Sequence, residues 1–326
     1  MFSGIAFRVE ISKQIGLGHY KRLLVLKKKL NLKPIWIIGG DKKIIQGLFK
    51  KKKLIFYIKD YKSELENITN LKKMGITKVV FDIANNSFIN NDKNLRLINF
   101  YKKNNFKTIS FDLPTQKKMS DISIIPYDHN NKIRIKNDKK IFVGSEYFLH
   151  ETKFKKNVLP KKVKKILILI GGSDYKSIGI KILKLLSEER FIIKLLGGLY
   201  KKVVFKSKNL RNIEFDENIE KYYKWSDIVI CGEGITKFEA MNHNKPVILI
   251  HQYDISSNLI KTFLKQETCL SLGLYDEKKL NFYKNQIISY INNKSLQLKH
   301  IKNQRKIFNK SSILSKQKKL LKEIRK

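Results

Sequence analysis

A chain of 326 residues with 42% hydrophobic residues is long enough for two ordinary domains with buried cores. No stretch is apolar enough for a bilayer span. The opening Met1–Ala6 lacks the basic region of a signal peptide, and Cys231 and Cys269 make neither a disulfide framework nor a metal-ligand spacing, so a cytoplasmic protein is expected. The formal net charge of +41 raises nucleic acid as a partner, but the lysines are spread over every predicted element, and Lys, Asn and Ile are over-used together as AT-rich codons would have it; no specific nucleic-acid binding is expected, only weak, salt-dependent attraction to polyanions and anionic membrane surfaces.

In chain order, an apolar run at residues 5–9 leads through Gly16-Leu17-Gly18 to His19, where Tyr20, Leu23, Leu26 and Leu30 recur at helical spacing. The glycines Gly16 and Gly18 let the backbone pass close to a ligand, and a helix start offers unpaired N–H groups and positive dipole. A His on that first turn can work as acid or base near neutral pH. The same pattern also fits a tight turn followed by a surface His. Further strands are predicted over 34–38, 54–58, 78–82, 108–111, 122–125 and 141–143, with helices over 62–74 and 92–104. This is the rhythm of a mostly parallel sheet.

The polar, Lys-rich stretch 151–165, carrying Pro160, is the expected linker. The pattern then restarts, with strands predicted over 166–170, 191–196, 213–215, 227–231 and 247–250, and helices over 175–188, 219–223, 234–243 and 256–265. The division expected is 1–155 and 156–326, two doubly wound α/β domains. Residues 299–326 are strongly basic but keep an apolar face through Ile301, Phe308, Ile313, Leu320 and Ile324, so packed helix is expected there. Trp36 and Trp225 are expected in the core, and Cys231 as a small core residue.

Glycines follow directly after several strands: Gly39-Gly40, Gly171-Gly172, Gly197-Gly198 and Gly232-Glu233-Gly234. In open α/β sheets the ligand crevice lies at the carboxyl ends of strands. Around Gly234, Ile235 and Thr236, backbone N–H groups would hold a diphosphate, and Glu239, one turn on, would accept from both hydroxyls of a ribose. Equally, Thr236 would serve as a helix cap and Glu239 as a solvated helix residue. Asp82 and Asp112, each at a strand end, either face a ligand or cap the next helix. His129 and His150 read as surface residues. His251, with Gln252 and Asp254 nearby, and Asn258 are candidates for the rim of the nucleotide site. His243 ends a short helix, where a cation would favour the dipole.

Three segments carry a family likeness: Arg8-Val9-Glu10-Ile11-Ser12 followed by Gly16-Leu17-Gly18-His19-Tyr20-Lys21-Arg22; Gly171-Gly172-Ser173-Asp174; and the helix start from Gly234 to Glu239-Ala240. Through them the chain resembles the UDP-sugar hydrolases of pseudaminic acid synthesis, which release UDP from a diacetamido-trideoxy-altrose, and the related spore-coat polysaccharide proteins. Both are similar to glycosyltransferases of the GT-B fold. The resemblance implies two Rossmann-like domains facing a cleft, with a UDP-sugar as substrate and the nucleotide held mainly by the second domain. It makes His19 the catalytic base, has Arg22 orient a substrate or incoming anion, and matches Glu239 to the ribose and Ile235 and Thr236 to the diphosphate. Gly171, Gly172, Ser173 and Asp174 would line the cleft near sugar and phosphates, and Asp82 and Asn85 would face the sugar.

The implied reaction is inverting attack of water on the anomeric carbon, with UDP leaving toward helix N–H groups and with no metal or other cofactor. Two departures stand against the family pattern. Glu10 replaces an Asp, and Asp82-Ile83-Ala84 replaces an Asp-x-Tyr, which removes an active-site Tyr at Ala84. By the resemblance, hydrolysis of the nucleotide-sugar is the leading expectation. Transfer of its sugar to a sugar or lipid acceptor is the alternative, and non-catalytic binding of a nucleotide-sugar or polyanion the second.

Overall fold

The computed structural model describes residues 3–12, 15–49, 55–83, 91–111, 120–126, 140–149, 159–172, 174, 176–197, 210–213, 216, 218–252, 263–308 and 310–326. Two compact units are present: residues 1–149 with 311–326, and residues 150–310.

In the first unit, β1 (Ile5–Ile11), β2 (Ile35–Gly40), β3 (Ile55–Ile58), β4 (Lys78–Asp82), β5 (Lys107–Phe111), β6 (Ile122–Ile125) and β7 (Ile141–Val143) form one sheet in the order β3-β2-β1-β4-β5-β6-β7. Every pairing in it is parallel. The strands are short and mostly apolar, as expected of a sheet covered on both faces. Between them run α1 (Gly18–Leu30), α2 (Lys42–Phe49), α3 (Tyr61–Lys73) and α4 (Asn91–Lys103). An aromatic group of Phe7, Tyr20, Trp36 and Phe49, with ring centroids 5.1–6.1 Å apart, fixes α1 and α2 on one face. On the other face Ile68, Leu71, Leu97, Ile98 and Tyr101 pack against Ile37, Val79 and Phe81.

The second unit holds β8 (Lys165–Leu169), β9 (Ile192–Leu196), β10 (Leu210–Ile213), β11 (Ile228–Cys231), β12 (Val247–His251) and β13 (Leu270–Leu274) in the order β10-β9-β8-β11-β12-β13, again all parallel. Its helices are α5 (Ile178–Leu185), α6 (Glu220–Trp225), α7 (Ile235–Asn242), α8 (Leu280–Asn292) and α9 (Lys294–Ile307). Ile166, Ile168, Ile193, Ile230 and Ile248 form a core with Ile182, Leu183, Tyr283 and Ile287 from α5 and α8. Cys231 and Cys269 are free and buried, as small core residues.

A last helix, α10 (Lys310–Arg325), differs from the expected division at residue 155. It belongs to the first unit, not to the second, because it buries Ile313, Leu320 and Ile324 there and ties back through Gln317 Nε2 to the Phe148 carbonyl at 3.0 Å and Lys316 Nζ to Glu146 at 2.6 Å. The packed helical character expected of residues 299–326 holds. Trp36 is in the core, at 5% exposure, whereas Trp225 is only half-buried, with the Lys194 ammonium 4.0 Å from its ring centroid. The predicted helix 175–188 shortens to α5, the predicted strand 213–215 is met by β10 at its first residue, and the helix expected over 256–265 lies mostly outside the described residues, as do 151–158 of the expected linker.

Both sheets reverse their winding once. In the first, β1 sits between β2 and β4; in the second, β8 sits between β9 and β11. At such a switch point the loops leaving two adjacent strands diverge to opposite faces, which opens a crevice at their carboxyl ends. In the second unit the two loops nearly touch there: a Cβ at Gly232 would lie 2.1 Å from the Ile170 carbonyl oxygen. Gly232→Ala is expected to force these loops apart and to cost about 1–3 kcal/mol of stability, read from urea denaturation.

Candidate functional site

At the switch point of the first unit, β1 ends and the chain turns through Ser12, whose carbonyl accepts from Gly16 N at 2.8 Å. The helix α1 then opens at Gly18. No side chain caps it, and its first turn carries no acidic residue. His19 is the second residue of that turn, where the positive end of the helix dipole lies. The β1–β4 register sets Val9 opposite Asp82, so the last residue of β4 reaches the same crevice.

The two side chains meet. His19 Nδ1 is 2.6 Å from Asp82 Oδ1, and Arg22, one turn along α1, places Nε 2.7 Å from Oδ2 and Nη2 2.5 Å from Oδ1. The Asp82 carboxylate is fully buried, whereas the His19 side chain keeps 22% of its surface open. Burial opposes ionisation of Asp82, but the Arg22 guanidinium and then His19 outweigh it and hold the carboxyl below its ordinary range. An ionised acceptor requires Nδ1 to be the donor, which leaves the lone pair of a neutral imidazole on Nε2. Among the described residues Nε2 makes no protein hydrogen bond. A base whose far nitrogen is anchored by a buried carboxylate and whose near nitrogen is open is arranged to take a proton from a hydroxyl or a water.

Arg22 departs from its expected role. Its side chain is 1% exposed, and its guanidinium lies under the Phe111 ring, 4.8 Å from the centroid, bound to Asp82. It does not reach out to a substrate or an incoming anion. Asp82 neither caps a helix nor stands alone at a strand end; it is the acceptor for both partners. Arg8, the first residue of the motif, is also buried. Its Nε and Nη2 bind Glu64 at 2.7 and 3.0 Å, and Tyr101 OH donates to Glu64 Oε1 at 3.3 Å. This cluster anchors β1 to α3 and α4 and is structural. Asn85, Ala84 and Asp112 lie outside the described residues, as do His129, His150, Ser173, Asp254 and Asn258.

The second unit offers two loop-to-helix turns at its switch point, and they differ. After β8 the chain passes Gly171 and Gly172, both half-buried, to Asp174. The Asp174 carboxylate accepts from Ile178 N at 2.7 Å and from Gly179 N at 2.8 Å. It therefore occupies the start of α5 itself; a Cβ at Gly179 would come within 3.0 Å of its Oδ2. The Ile178 and Gly179 N–H groups are thus taken by the Asp174 carboxylate, which acts here as an acceptor for the helix start.

After β11 the arrangement is open. Gly234 is exposed at the N-cap of α7, among the described residues no side chain caps that helix, and its first turn has no acidic residue. Ile235 and Thr236 are half-buried at the start. The Thr236 hydroxyl turns inward, with no oxygen or nitrogen partner among the described residues and the Cys231 thiol beside it, so this residue offers a ligand its backbone N–H and not its side chain. Lys237, wholly buried, folds back and donates from Nζ to the Glu233 carbonyl, which adds a positive charge to the helix start. Glu239, one turn on and half-buried, accepts from Tyr223 OH at 2.9 Å.

Sequence reading missed Tyr223 and Lys237. A tyrosine at helical spacing reads as core, and a lysine after a glycine loop reads as surface. His243 is buried and stacked on Tyr223, with ring centroids 5.2 Å apart. His251 is buried too, its Nε2 3.1 Å from Ser271 Oγ; burial first, and the nearby Lys237 second, push its pKa down to about 4. Neutral at physiological pH, it belongs to the packing of β12 against β13.

These two parallel-sheet units, each with its polar groups at a switch point, are those of the GT-B class of glycosyltransferase folds. Residues 140–262 match the sequence model of the glycosyltransferase family 28 C-terminal domain. The chain is similar to an uncharacterized protein of Methanocaldococcus jannaschii, 26% identical over 294 residues, and to the spore coat polysaccharide biosynthesis protein SpsG of Bacillus subtilis, 23% identical over 162 residues. The alignments cover 80% and 45% of this chain, and the chain spans only 58% and 48% of the two relatives. Among solved structures the fold is shared with the spinosyn rhamnosyltransferase SpnG (TM-score 0.61, 10% identity, 93% of this chain and 96% of that one) and with MurG of Acinetobacter baumannii (TM-score 0.60, 12% identity, 98% and 99%). SpnG is also known complexed with thymidine diphosphate. Among the described residues no helix is long and apolar enough to cross a membrane.

Removal of the carboxylate tests the geometry. Asp82→Asn leaves the Arg22 charge buried without its counter-charge, and is expected to cost about 3–5 kcal/mol in urea denaturation. Because the folded-state pKa of Asp82 is depressed, its stabilising effect is complete above the ordinary carboxylate range and is lost as pH falls through the folded value. The wild type and the variant should therefore converge in stability only in acid.

Proposed function

We propose that the protein is a nucleotide-sugar-dependent glycosyltransferase of the GT-B class that acts in polysaccharide synthesis. The His19–Asp82 pair, at 2.6 Å, carries this reading. His19 Nε2 takes the proton of an acceptor hydroxyl as its oxygen bonds to the anomeric carbon of the donor sugar. The bond from that carbon to the diphosphate oxygen breaks, the configuration inverts, and the nucleoside diphosphate leaves. The open start of α7, with the Ile235 and Thr236 N–H groups and the Lys237 charge, binds the leaving diphosphate, so no protonated acid is needed. Glu239 binds the ribose hydroxyls. The match to the family 28 C-terminal domain, over the residues that include this helix, and the likeness to a spore coat polysaccharide biosynthesis protein support the sugar chemistry and its setting. Uridine as the base rests on the resemblance noted in the sequence.

The segment from Arg8 to Arg22 favours a second reading, in which the same base activates water and the enzyme hydrolyses a UDP-sugar. The altrose derivative named by that resemblance belongs to this reading.

Nucleoside diphosphate release from UDP- and dTDP-sugars, measured with and without sugar and lipid-linked acceptors, separates the two. Release that needs an acceptor supports transfer; equal release without one supports hydrolysis and overturns the transfer reading. His19→Ala is expected to lower turnover by about 10²-fold or more with nucleotide affinity nearly unchanged. Glu239→Ala should do the reverse, weakening UDP binding by about 1–3 kcal/mol in calorimetry.

A further inference from the structure

Arg22 has no place in the chemistry above, yet it is among the largest fully buried side chains of the protein. Taking a guanidinium out of water is costly unless its partner is well placed. Here the partner is well placed. Nε and Nη2 hold the two oxygens of Asp82 separately, at 2.7 and 2.5 Å, in the planar fork that suits a carboxylate. Oδ1 is shared: it also receives His19 Nδ1 at 2.6 Å, and Arg22 Nη2 stands 3.3 Å from that same nitrogen. The fork thus defines the plane of the carboxylate in which His19 must bind. The Phe111 ring from β5 lies against the guanidinium, and the charged groups that face the carboxylate among the described residues are Arg22 and His19, both from α1.

We propose that Arg22 is a positioning residue: its two-point grip keeps Asp82 ionised and unable to rotate, which fixes the His19 proton on Nδ1 and presents Nε2 as the base. A buried carboxylate bound only to a histidine has a choice. It can turn about its Cβ–Cγ bond, or it can protonate and become a donor, and either change spoils the tautomer that a base requires. The spacing of His19 and Arg22, three residues apart on one helix face, lets a single helix carry both the base and the clamp on its carboxylate partner. The effect on turnover rests on the function proposed above; the effect on Asp82 does not.

The test uses the full chain, carrying ¹³C-labelled aspartate, with Arg22 replaced in two ways. Arg22→Met keeps much of the side-chain bulk beside Phe111 and removes the fork. The Asp82 carboxyl, followed by ¹³C NMR without any substrate, is expected to titrate at least one pH unit higher than in the wild type, a tenfold change in its dissociation constant. In the enzyme assay kcat should fall about 10–100-fold while KM changes less than about threefold, as for a group that acts through another. Arg22→Lys keeps the charge without the fork. It should leave the Asp82 titration near that of the wild type and still lower kcat by about tenfold, because one ammonium does not hold two oxygens in a plane.

An unchanged Asp82 titration in Arg22→Met overturns the proposal, since Arg22 would then be packing alone. A raised KM with kcat preserved overturns it as well and returns Arg22 to contact with the substrate. If Arg22→Met does not fold, Arg22→Lys decides, and full kcat in that variant removes the need for the fork. If no nucleotide-sugar reaction is found, the functional reading fails by itself, and the ¹³C titration still judges the grip on Asp82.

Discussion

Parallel pairing of β1 with β4 is the constraint on which the first unit turns. It brings the carboxyl ends of two strands, far apart in sequence, side by side where the winding of the sheet reverses. One end leads into a helix that carries His19 and Arg22; the other finishes in Asp82. The resulting contact joins residues 60 and 63 positions apart, yet it depends on a short register, Ile5 to Val9 against Lys78 to Asp82. A slip of that register by one residue would turn Asp82 to the other face of the sheet. It would then meet the side that holds Arg8, Glu64 and Tyr101, and His19 would lose its partner.

The chain has a net charge of +41, and the cations buried among its described residues, Arg8, Arg22, Lys237 and Lys245, each have a hydrogen-bond partner. Arg8 and Arg22 each meet a carboxylate through a fork. Lys245, at the end of the loop after α7, donates to the Ser226 carbonyl, and burial brings its pKa down to about 8. Replacing a buried pair by apolar residues is often neutral, whereas removing one member is costly. These arginines therefore matter for where they hold their partners more than for the stability they add. One holds β1 against the helices of its far face, and the other holds the carboxylate beside His19.

The second unit shows how two similar sequences acquire different uses. Gly171 to Asp174 and Gly232 to Thr236 both run from a strand through glycine toward a helix. At the first, Asp174 binds the opening N–H groups of α5 and closes that helix start to other anions. At the second, α7 begins without an acidic residue or a side-chain cap, and Lys237 adds a charge of the opposite sign. Glu239 is then held to one side by Tyr223, whose hydroxyl is oriented within a stack on His243.

Periodicity alone determined much of this protein. The apolar runs between amphipathic segments, together with glycines at strand ends, predict two doubly wound units and place most strands within a residue or two, because buried parallel strands must be short and apolar and their ligand loops must bend sharply. Less was visible where the pattern was weak. Leu270–Leu274 alternates leucine with Ser and Gly and becomes a strand only at the edge of a sheet already formed. His19 stood out because its glycine loop and helix start are local features. Which carboxylate would meet it, that Arg22 would turn inward, that Asp174 would fill its own helix start, and that α10 would return to the first unit were decided by tertiary structure. Each of these depends on a side chain meeting a group distant in sequence or on a burial that only packing creates, and a one-dimensional pattern contains neither.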